Sequence, residues 1–328
     1  EVGRRRRWTH GGDRPSPIDP HNWWAGETAR WDLVLHHTAA PIPDGVVLTW
    51  RLARPGGEVL CEHEVALSGP LSPGDPQVLV AMECTLPTAN RPERLTLSAE
   101  LRRATGDHAL VAQNRWPVWV YPWPGELDSI ALYDPAHLID EQADRLSLGT
   151  RVDRLRGRQR PRVALATLWD AEVQRYVERG GRVLYWQPGA GPLHAHRGPF
   201  WREAVKLFPA HPVWDVFPVD GHADMQFFGL ATDVMFEPGR LPDALGAGQV
   251  REIRPLLRRL DARSFEMHDY LVEVELGAGR ALLTTLRFDG GAGSQPVGFR
   301  RNVSGYALLS ILLRYLDGTL LPIRKRVA

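Results

Sequence analysis

The hydrophobic pattern of this chain changes its period once, at Trp123-Pro-Gly125. Before this point, apolar and polar residues alternate in short runs separated by Gly- and Pro-rich turns, as in half-buried β-strands. After it, short continuous apolar runs alternate with helix-like segments, as in a parallel sheet. A Pro-Gly pair interrupts both patterns, so the sequence predicts two domains that meet between Tyr121 and Leu127. A length of 328 residues is enough for two ordinary domains.

Residues 1–21 are expected to form an irregular lead-in that contains four consecutive arginines, Arg4 to Arg7. We interpret the arginines as part of a solvated linker or as a strip that docks on a neighbouring domain, with a nucleic-acid arm as the alternative. The net charge of +1 predicts neither a nucleic-acid nor a membrane partner. Residues 22–122 then contain about seven short alternating runs with frequent turn signals, which is typical of an immunoglobulin-like β-sandwich.

Residues 127–320 change to the pattern of an α/β domain, followed by a tail at 321–328. Apolar runs at 129–133, 163–167 and 182–186 predict buried parallel strands. Asp170 is expected to cap a helix that extends to about Arg179, with an apolar stripe of Ala171, Val173, Tyr176 and Val177. Segments 270–276 and 280–286 predict a hairpin, and 304–316 predicts a helix. The predicted fold of this part is an open sheet with helices on both faces and an antiparallel addition.

The two cysteines, Cys61 and Cys84, exclude a cysteine-rich zinc site and a disulfide scaffold. Both lie on predicted strands of the first domain, and the strands flank one loop centred near Ser72. Two alternatives stay open: a cross-strand disulfide in a hairpin, or two buried thiols. The α/β part has no cysteine, which excludes a cysteine-dependent amidotransferase there.

Motifs for cofactors and metals are weak in this sequence. Gly189-Ala-Gly191 runs into Pro192 and lacks the third glycine of a dinucleotide loop. The His194-x-His196 pair has no nearby cysteine or paired carboxylate, so a polar loop is expected rather than a metal site. The sequence contains no Gly-x-Ser-x-Gly motif for a serine nucleophile. We therefore predict no cofactor, no metal and no catalytic residue in this chain.

The best local candidate for a ligand site is the stretch from His211 to Phe228. Pro212 and Pro218 argue against a regular helix through them. If the later part is extended, His222, Asp224 and Gln226 share one face, with the apolar residues between them on the other. The predicted ligand-binding residues are Trp201, His211, His222, Asp224 and Gln226. The alternative is that these polar groups only tie the loop to its own backbone.

Several segments together resemble the C-terminal region of large bacterial family 2 glycoside hydrolases. In the first domain they are Ala25-Gly-Glu27, Leu48-Thr-Trp-Arg-Leu52 and Trp116-Pro-Val-Trp-Val-Tyr-Pro122. In the second they are Gly180-Gly-Arg-Val-Leu184, Phe200-Trp201, His211-Pro212, Phe217-Pro218 with His222 and Gln226, and Gly277-x-Gly279-x-x-Leu-Leu283. The resemblance covers roughly residues 22–320. It implies an immunoglobulin-like module followed by a flavodoxin-like, class I glutamine-amidotransferase-like sheet.

This chain differs from the family in the residues and the domain that carry out catalysis. The catalytic glutamates of the family belong to a (β/α)8 barrel, whereas this chain has no Asn-Glu pair and no eight-fold βα series. Met225 stands where relatives carry a tryptophan. The resemblance therefore implies a non-catalytic accessory portion of a glycosidase-like protein in carbohydrate metabolism. Its expected partners are a catalytic barrel elsewhere in the parent chain and a carbohydrate.

Two other functions stay open at this point. One is a stand-alone hydrolase or amidotransferase-like enzyme that uses His222 or His211 with Asp224, and the other is a protein-interaction module. Because the chain opens on Glu1 rather than Met, we expect a segment of a longer polypeptide. The compartment cannot be decided from such a segment.

Overall fold

The structure is a computed structural model that describes residues 2–3, 19–125, 127, 129–135, 137–139, 148–155, 161–290 and 298–320. The arginine run Arg4 to Arg7 and the tail 321–328 lie outside the described residues. The chain divides into two compact units, Glu1–Trp123 and Pro124–Ala328. The described residues are mostly β-sheet with few helices, a mixed β-rich fold. None of the helices in the described ranges is long and apolar enough to cross a membrane.

Unit 1 consists of β-strands in two sheets. Its strands are β1 (Val2–Gly3), β2 (Asn22–Trp24), β3 (Thr28–Leu35), β4 (Val46–Ala53), β5 (Val59–Leu67), β6 (Gln77–Thr85), β7 (Glu93–Arg103) and β8 (Leu110–Tyr121). One sheet has the order β1-β3-β6 and the other β2-β8-β7-β4-β5. All pairs are antiparallel except β2 with β8. The alternating pattern of the sequence thus forms strands as predicted.

The two sheets of unit 1 bury their apolar side chains in one core. Trp31 and Met82 from the first sheet belong to the same cluster as Trp50, Leu97 and Val118 from the second. The shared core follows from the alternation of apolar and polar residues along the strands. In β7, for example, every second side chain from Leu95 to Leu101 is buried. Unit 1 is therefore a β-sandwich.

A disulfide bond joins Cys61 and Cys84, with Cα atoms 6.3 Å apart. Of the two alternatives left open by the sequence, the structure therefore has the bond. Its predicted setting is wrong, because β5 pairs with β4 and β6 pairs with β3, in different sheets. The disulfide links the two sheets across the core and is not a cross-strand bridge in a hairpin.

Unit 2 contains one ten-stranded sheet and four α-helices among its described residues. Its strands are β9 (Ile130–Tyr133), β10 (Thr150–Arg151), β11 (Val163–Ala166), β12 (Arg182–Trp186), β13 (Ala195–Arg197), β14 (Ala204–Leu207), β15 (Val234–Phe236), β16 (Val250–Asp261), β17 (Met267–Leu276) and β18 (Gly279–Thr284). Its helices are α1 (Ala171–Glu178), α2 (Pro212–Val216), α3 (Leu241–Ala244) and α4 (Val303–Asp317), with 3-10 turns at Met225–Phe227 and Pro238–Arg240.

The sheet of unit 2 is parallel on one side and antiparallel on the other. Strands β10, β9, β11, β12 and β18 are neighbours in that order and are parallel. The sheet continues through β17 and β15 to β13 by antiparallel pairs, and β16 pairs with both β14 and β17. The parallel strands β9, β11 and β12 and the β17–β18 hairpin were predicted, whereas β10 was not and the antiparallel part is larger than expected.

Helices α1 and α4 lie on opposite faces of the parallel strands. Asp170 caps α1 by accepting hydrogen bonds from Glu172 N and Val173 N, as predicted. Val173, Tyr176 and Val177 of α1 share a core with Val183 and Tyr185 of β12. The other face of β12 carries Arg182, whose Nη1 donates to Leu316 O of α4. Ala171, expected in the apolar stripe of α1, is exposed.

Candidate functional site

The His211–Phe228 segment begins with a short helix, which corrects the prediction that its prolines prevent one. Helix α2 starts at Pro212, whose missing N–H is not needed in the first turn. His211 caps it, since its Nδ1 accepts a hydrogen bond from Val213 N at 3.3 Å. Only Pro218 lies past the end of the helix, where the chain is no longer helical.

The later part of the segment is not extended, so the predicted polar face does not form. Residues 225–227 make a 3-10 turn that Asp224 caps through a 2.7 Å hydrogen bond from Met225 N. Gln226 is 1% exposed and its Nε2 donates to Pro218 O at 2.7 Å. Gln226 and Phe227 are therefore both buried. A 3-10 turn rotates side chains by about 120° per residue, whereas the prediction assumed the alternation of a strand.

His222 and Asp224 approach each other at the surface. His222 Nε2 lies 3.9 Å from Asp224 Oδ2, with the side chains 63% and 26% exposed. His222 Nδ1 lies 3.0 Å from the carbonyl of Asp220, so Nδ1 carries a proton and donates. In the neutral ring, Nε2 then presents a lone pair to the carboxylate. The two groups attract each other only when His222 is protonated, which is not the arrangement of a carboxylate-oriented general base.

His211 belongs to a buried polar cluster around Glu273 of β17. Because His211 Nδ1 accepts a backbone hydrogen bond, the proton of the neutral ring is on Nε2, which lies 3.7 Å from Glu273 Oε2. Tyr315 Oη donates to Glu273 Oε1 at 2.7 Å. Arg254 Nη1 and Arg280 Nη1 lie 3.4 and 3.3 Å from the same carboxylate. Sequence analysis did not identify Glu273, since nothing in strand β17 distinguishes it from its neighbour Glu275.

The cluster keeps the buried carboxylate of Glu273 ionised. Glu273 is 1% exposed, and burial alone would raise its pKa. The hydrogen bond from Tyr315 and the nearby side chains of His211 and Arg280 oppose burial, and the net result is a lowered pKa. A general acid needs a raised pKa, so Glu273 is suited to holding His211 and Tyr315 in place.

A surface groove of about 490 Å³ lies beside helix α2, and His211 is part of its wall. The lining residues are Phe208, Pro209, Ala210, His211, Pro212, Trp214, Asp215, Val219 and Gly221. Most of them are apolar, and Asp215 is the charged one. Of the five predicted ligand-binding residues, only His211 lines this groove.

Trp201 does not line the groove, and its side chain is partly exposed to solvent. It is 43% exposed and contacts the Phe200 ring edge-on at a centroid distance of 4.8 Å. The Nζ atom of Lys206 lies 5.6 Å from the centroid of the Trp201 ring. Both contacts fix an exposed aromatic surface of the kind that stacks on sugar rings.

The described residues contain no group of three or more side chains suited to hold a metal ion. His194 and His196 are the two histidines that the sequence analysis considered as metal ligands. His196 lies in β13 and its ring stacks on His268 at a centroid distance of 4.5 Å, whereas His194 precedes the strand.

Comparison with known proteins gives partial matches. The model of a family described as a domain of unknown function, DUF8488, matches residues 27–122. No curated protein matches this chain.

Three of the similar solved structures are glycosidases from Bacteroides. A putative beta-galactosidase from Bacteroides fragilis has 13% sequence identity and a TM-score of 0.24, and the match covers 49% of this chain and 26% of that one. Bacteroides uniformis beta-glucuronidase 2 has 18% identity and a TM-score of 0.22, with coverage of 50% and 22% in the same order. A glycosyl hydrolase family 2 member from Bacteroides cellulosilyticus has 8% identity and a TM-score of 0.22, with coverage of 49% and 25%.

This chain spans about a quarter of the length of these structures. At such identities and TM-scores the matches establish no shared activity. The comparisons lend no support to an amidotransferase-like domain.

Proposed function

We propose that this chain is a non-catalytic, carbohydrate-contacting accessory portion of a glycoside hydrolase family 2-like protein. The observation that carries the proposal is the exposed indole of Trp201, which contacts the Phe200 ring and Lys206 Nζ. A rigid, exposed aromatic ring binds a pyranose face at little conformational cost. The proposed partners are the catalytic barrel of the parent protein and the carbohydrate.

The finer fold assignment is part of the same proposal. Unit 1 would be an immunoglobulin-like sandwich, which its inter-sheet disulfide and buried tryptophans support. Unit 2 would be flavodoxin-like, supported by the parallel order β10-β9-β11-β12-β18, which corresponds to 2-1-3-4-5. The polar groups of His211, Asp224 and Gln226 would then have mainly structural roles, because each binds its own backbone segment.

Substitution of Trp201 by alanine tests the proposed sugar contact. Glycans that bind the full chain are first identified on an array and then measured by isothermal titration calorimetry. We expect Trp201→Ala to weaken binding about tenfold or more, since one stacked ring contributes about 1 kcal/mol beyond its buried area. The melting temperature should change little, because the indole is half exposed.

Trp123→Ala is the matched control, since Trp123 is 47% exposed and contacts Trp24 in unit 1. It should bind the same glycans as the wild type. The proposal fails if no glycan binds the wild-type chain, or if Trp201→Ala binds as tightly as the control.

A further inference from the structure

Three buried basic side chains form a row across the antiparallel part of the unit 2 sheet. Lys206 of β14 is paired with Arg259 of β16, and Arg259 is paired with His268 of β17. Paired residues on neighbouring strands point to the same face, so the three side chains are adjacent. Lys206 and His268 are 7% exposed and Arg259 is 3% exposed. His196, which is exposed, stacks on His268 at the end of the row.

Polar atoms in this row lack hydrogen-bond partners among the described residues. Arg259 donates from Nη1 to Asp261 Oδ2 at 2.7 Å, but its Nε is buried and unpartnered. His268 Nδ1 is also buried without a partner, whereas the buried hydroxyl of the neighbouring Tyr270 interacts with Arg259. Each such group loses its hydration without compensation, which is unfavourable. Two such atoms in one row, Arg259 Nε and His268 Nδ1, indicate that a ligand completes the row.

The free edge of Arg259 suits a particular kind of ligand. The Nε edge of a guanidinium donates two parallel hydrogen bonds to a carboxylate or a phosphate. Gly198 lies beside this edge, because a Cβ at Gly198 would be in van der Waals contact with Arg259, at 3.8 Å from both Cζ and Nη2. The only closer atom would be Met235 Cε at 3.0 Å, the flexible end of a side chain.

The charge of the row is also incompletely compensated. Lys206 Nζ contacts the carbonyl of Phe200 and the rings of Phe200 and Trp201. Burial, with the positive charge of Arg259, lowers the pKa of Lys206 to about 8. Asp261 neutralises Arg259 directly, whereas Glu237 and Glu266 act on His268 at longer range. A buried ammonium without a carboxylate partner is the environment that an anionic ligand would stabilise.

We propose that Lys206, Arg259 and His268 form a binding site for a compact oxyanion, a carboxylate or a phosphate group. The oxyanion would receive a bidentate pair of hydrogen bonds from the Nε edge of Arg259 and a further one from Lys206. This site shares Lys206 with the proposed sugar contact, because Lys206 Nζ also lies 5.6 Å from the centroid of the Trp201 ring. It differs in that it binds its ligand through charged groups and not through the exposed indole face.

Thermal unfolding and calorimetry of the full chain test the site with sodium phosphate and sodium acetate as probes. Sodium chloride at matched ionic strength is the reference. We expect a rise in the melting temperature of about 3–6 °C when the probe is about ten times its Kd. A larger shift with phosphate identifies a phosphate site, and a larger shift with acetate identifies a carboxylate site.

Two variants and a control test whether the probe-induced rise in melting temperature depends on Lys206 and Arg259. Lys206→Met removes an uncompensated buried charge, so the variant should fold and lose the probe-induced shift. Arg259→Lys keeps the charge but not the bidentate edge, so the shift should fall at least several-fold. Arg263→Gln is the control, since Arg263 is 76% exposed and pairs with Glu203.

The control variant should respond like the wild type. An equal shift with chloride means non-specific screening and overturns the proposal. The proposal is also overturned if Lys206→Met, once shown to be folded, keeps the full response to both probes.

Discussion

At the scale of single residues, the structure separates polar groups that serve the fold from groups that are available to a ligand. For Asp224 and Gln226 the sequence left two alternatives open, a ligand site or a tie to their own backbone, and in the structure both make hydrogen bonds within their own segment. Glu273, which the sequence did not single out, joins His211, Tyr315 and two arginines. The consequence is that the stability of unit 2 should depend on Glu273 more than on its exposed neighbours.

Replacing Glu273 by glutamine should lower the free energy of unfolding by about 2–3 kcal/mol at pH 7. Loss of one partner of a fully buried ion pair is unfavourable by about 3–5 kcal/mol. The value here should be smaller, because Arg254 and Arg280 are 46% and 37% exposed and water screens them. Urea unfolding measures the difference. Glu275→Gln is the matched control on the same strand, 23% exposed, and should lose less than about 1 kcal/mol.

The contribution of Glu273 should also depend on pH in a defined direction. Its pKa is lowered in the folded state, so the carboxylate stabilises the protein above the ordinary glutamate pKa, and this stability is lost as pH falls through the folded-state pKa. The difference in unfolding free energy between wild type and Glu273→Gln should be full at pH 7 and narrow below about pH 4. A difference that grows on acidification would contradict the assignment of Glu273 as a buried anion.

At the scale of secondary-structure elements, the effect of a proline on a helix or a strand depends on its position within that element. Pro212 starts helix α2, whereas Pro218 follows its end, so the same residue type has two opposite roles within seven residues of sequence. Strand β16 is a second case, since Pro255 lies beside a register shift in its pairing with β17. The sequence shows where the prolines are. Only the hydrogen-bond pattern of the fold shows at which positions a backbone N–H is not needed and a proline can be accommodated.

The disulfide should stabilise unit 1 by linking its two sheets. Closing a loop with a sequence separation of 23 residues corresponds to about 3 kcal/mol in the chain-entropy model. We expect the Cys61→Ser/Cys84→Ser double variant and the reduced wild-type protein to lose similar free energies of unfolding. Thiol titration of the denatured, non-reduced protein should detect no free thiol. Two titratable thiols per chain would show that the bond is absent.

At the scale of the whole molecule, each unit has a sheet system and a core of its own. Chains cut between Trp123 and Pro124 should therefore give two fragments that each melt cooperatively, as followed by circular dichroism and calorimetry. The control is a cut at Gly248, which separates β12 from its neighbour β18. Fragments from the control cut should not melt cooperatively. If neither fragment of the first cut does, the units are not independent domains.

The sequence by itself determined most of the elements that local patterns encode. The alternation in β7, the Asp170 cap of α1, the apolar runs of β11 and β12 and the β17–β18 hairpin all follow from neighbouring residues along the chain. Strand β16 was missed because its arginines at 251, 254, 258 and 259 hide the apolar period. Arg251, Arg254 and Arg258 are tolerated because carboxylates on strand β17 pair with them, and Arg259 pairs with Asp261 of its own strand.

Only the tertiary structure decided which side chains meet. The disulfide connects strands of different sheets, and His211 meets Glu273 sixty-two positions later in the sequence. Lys206 is paired with Arg259, which is paired in turn with His268. These contacts depend on strand order and register, which bring together residues that are distant in the chain and carry no shared local pattern. Local patterning specifies which face of an element is apolar, whereas the pairing of elements determines which polar groups are buried together.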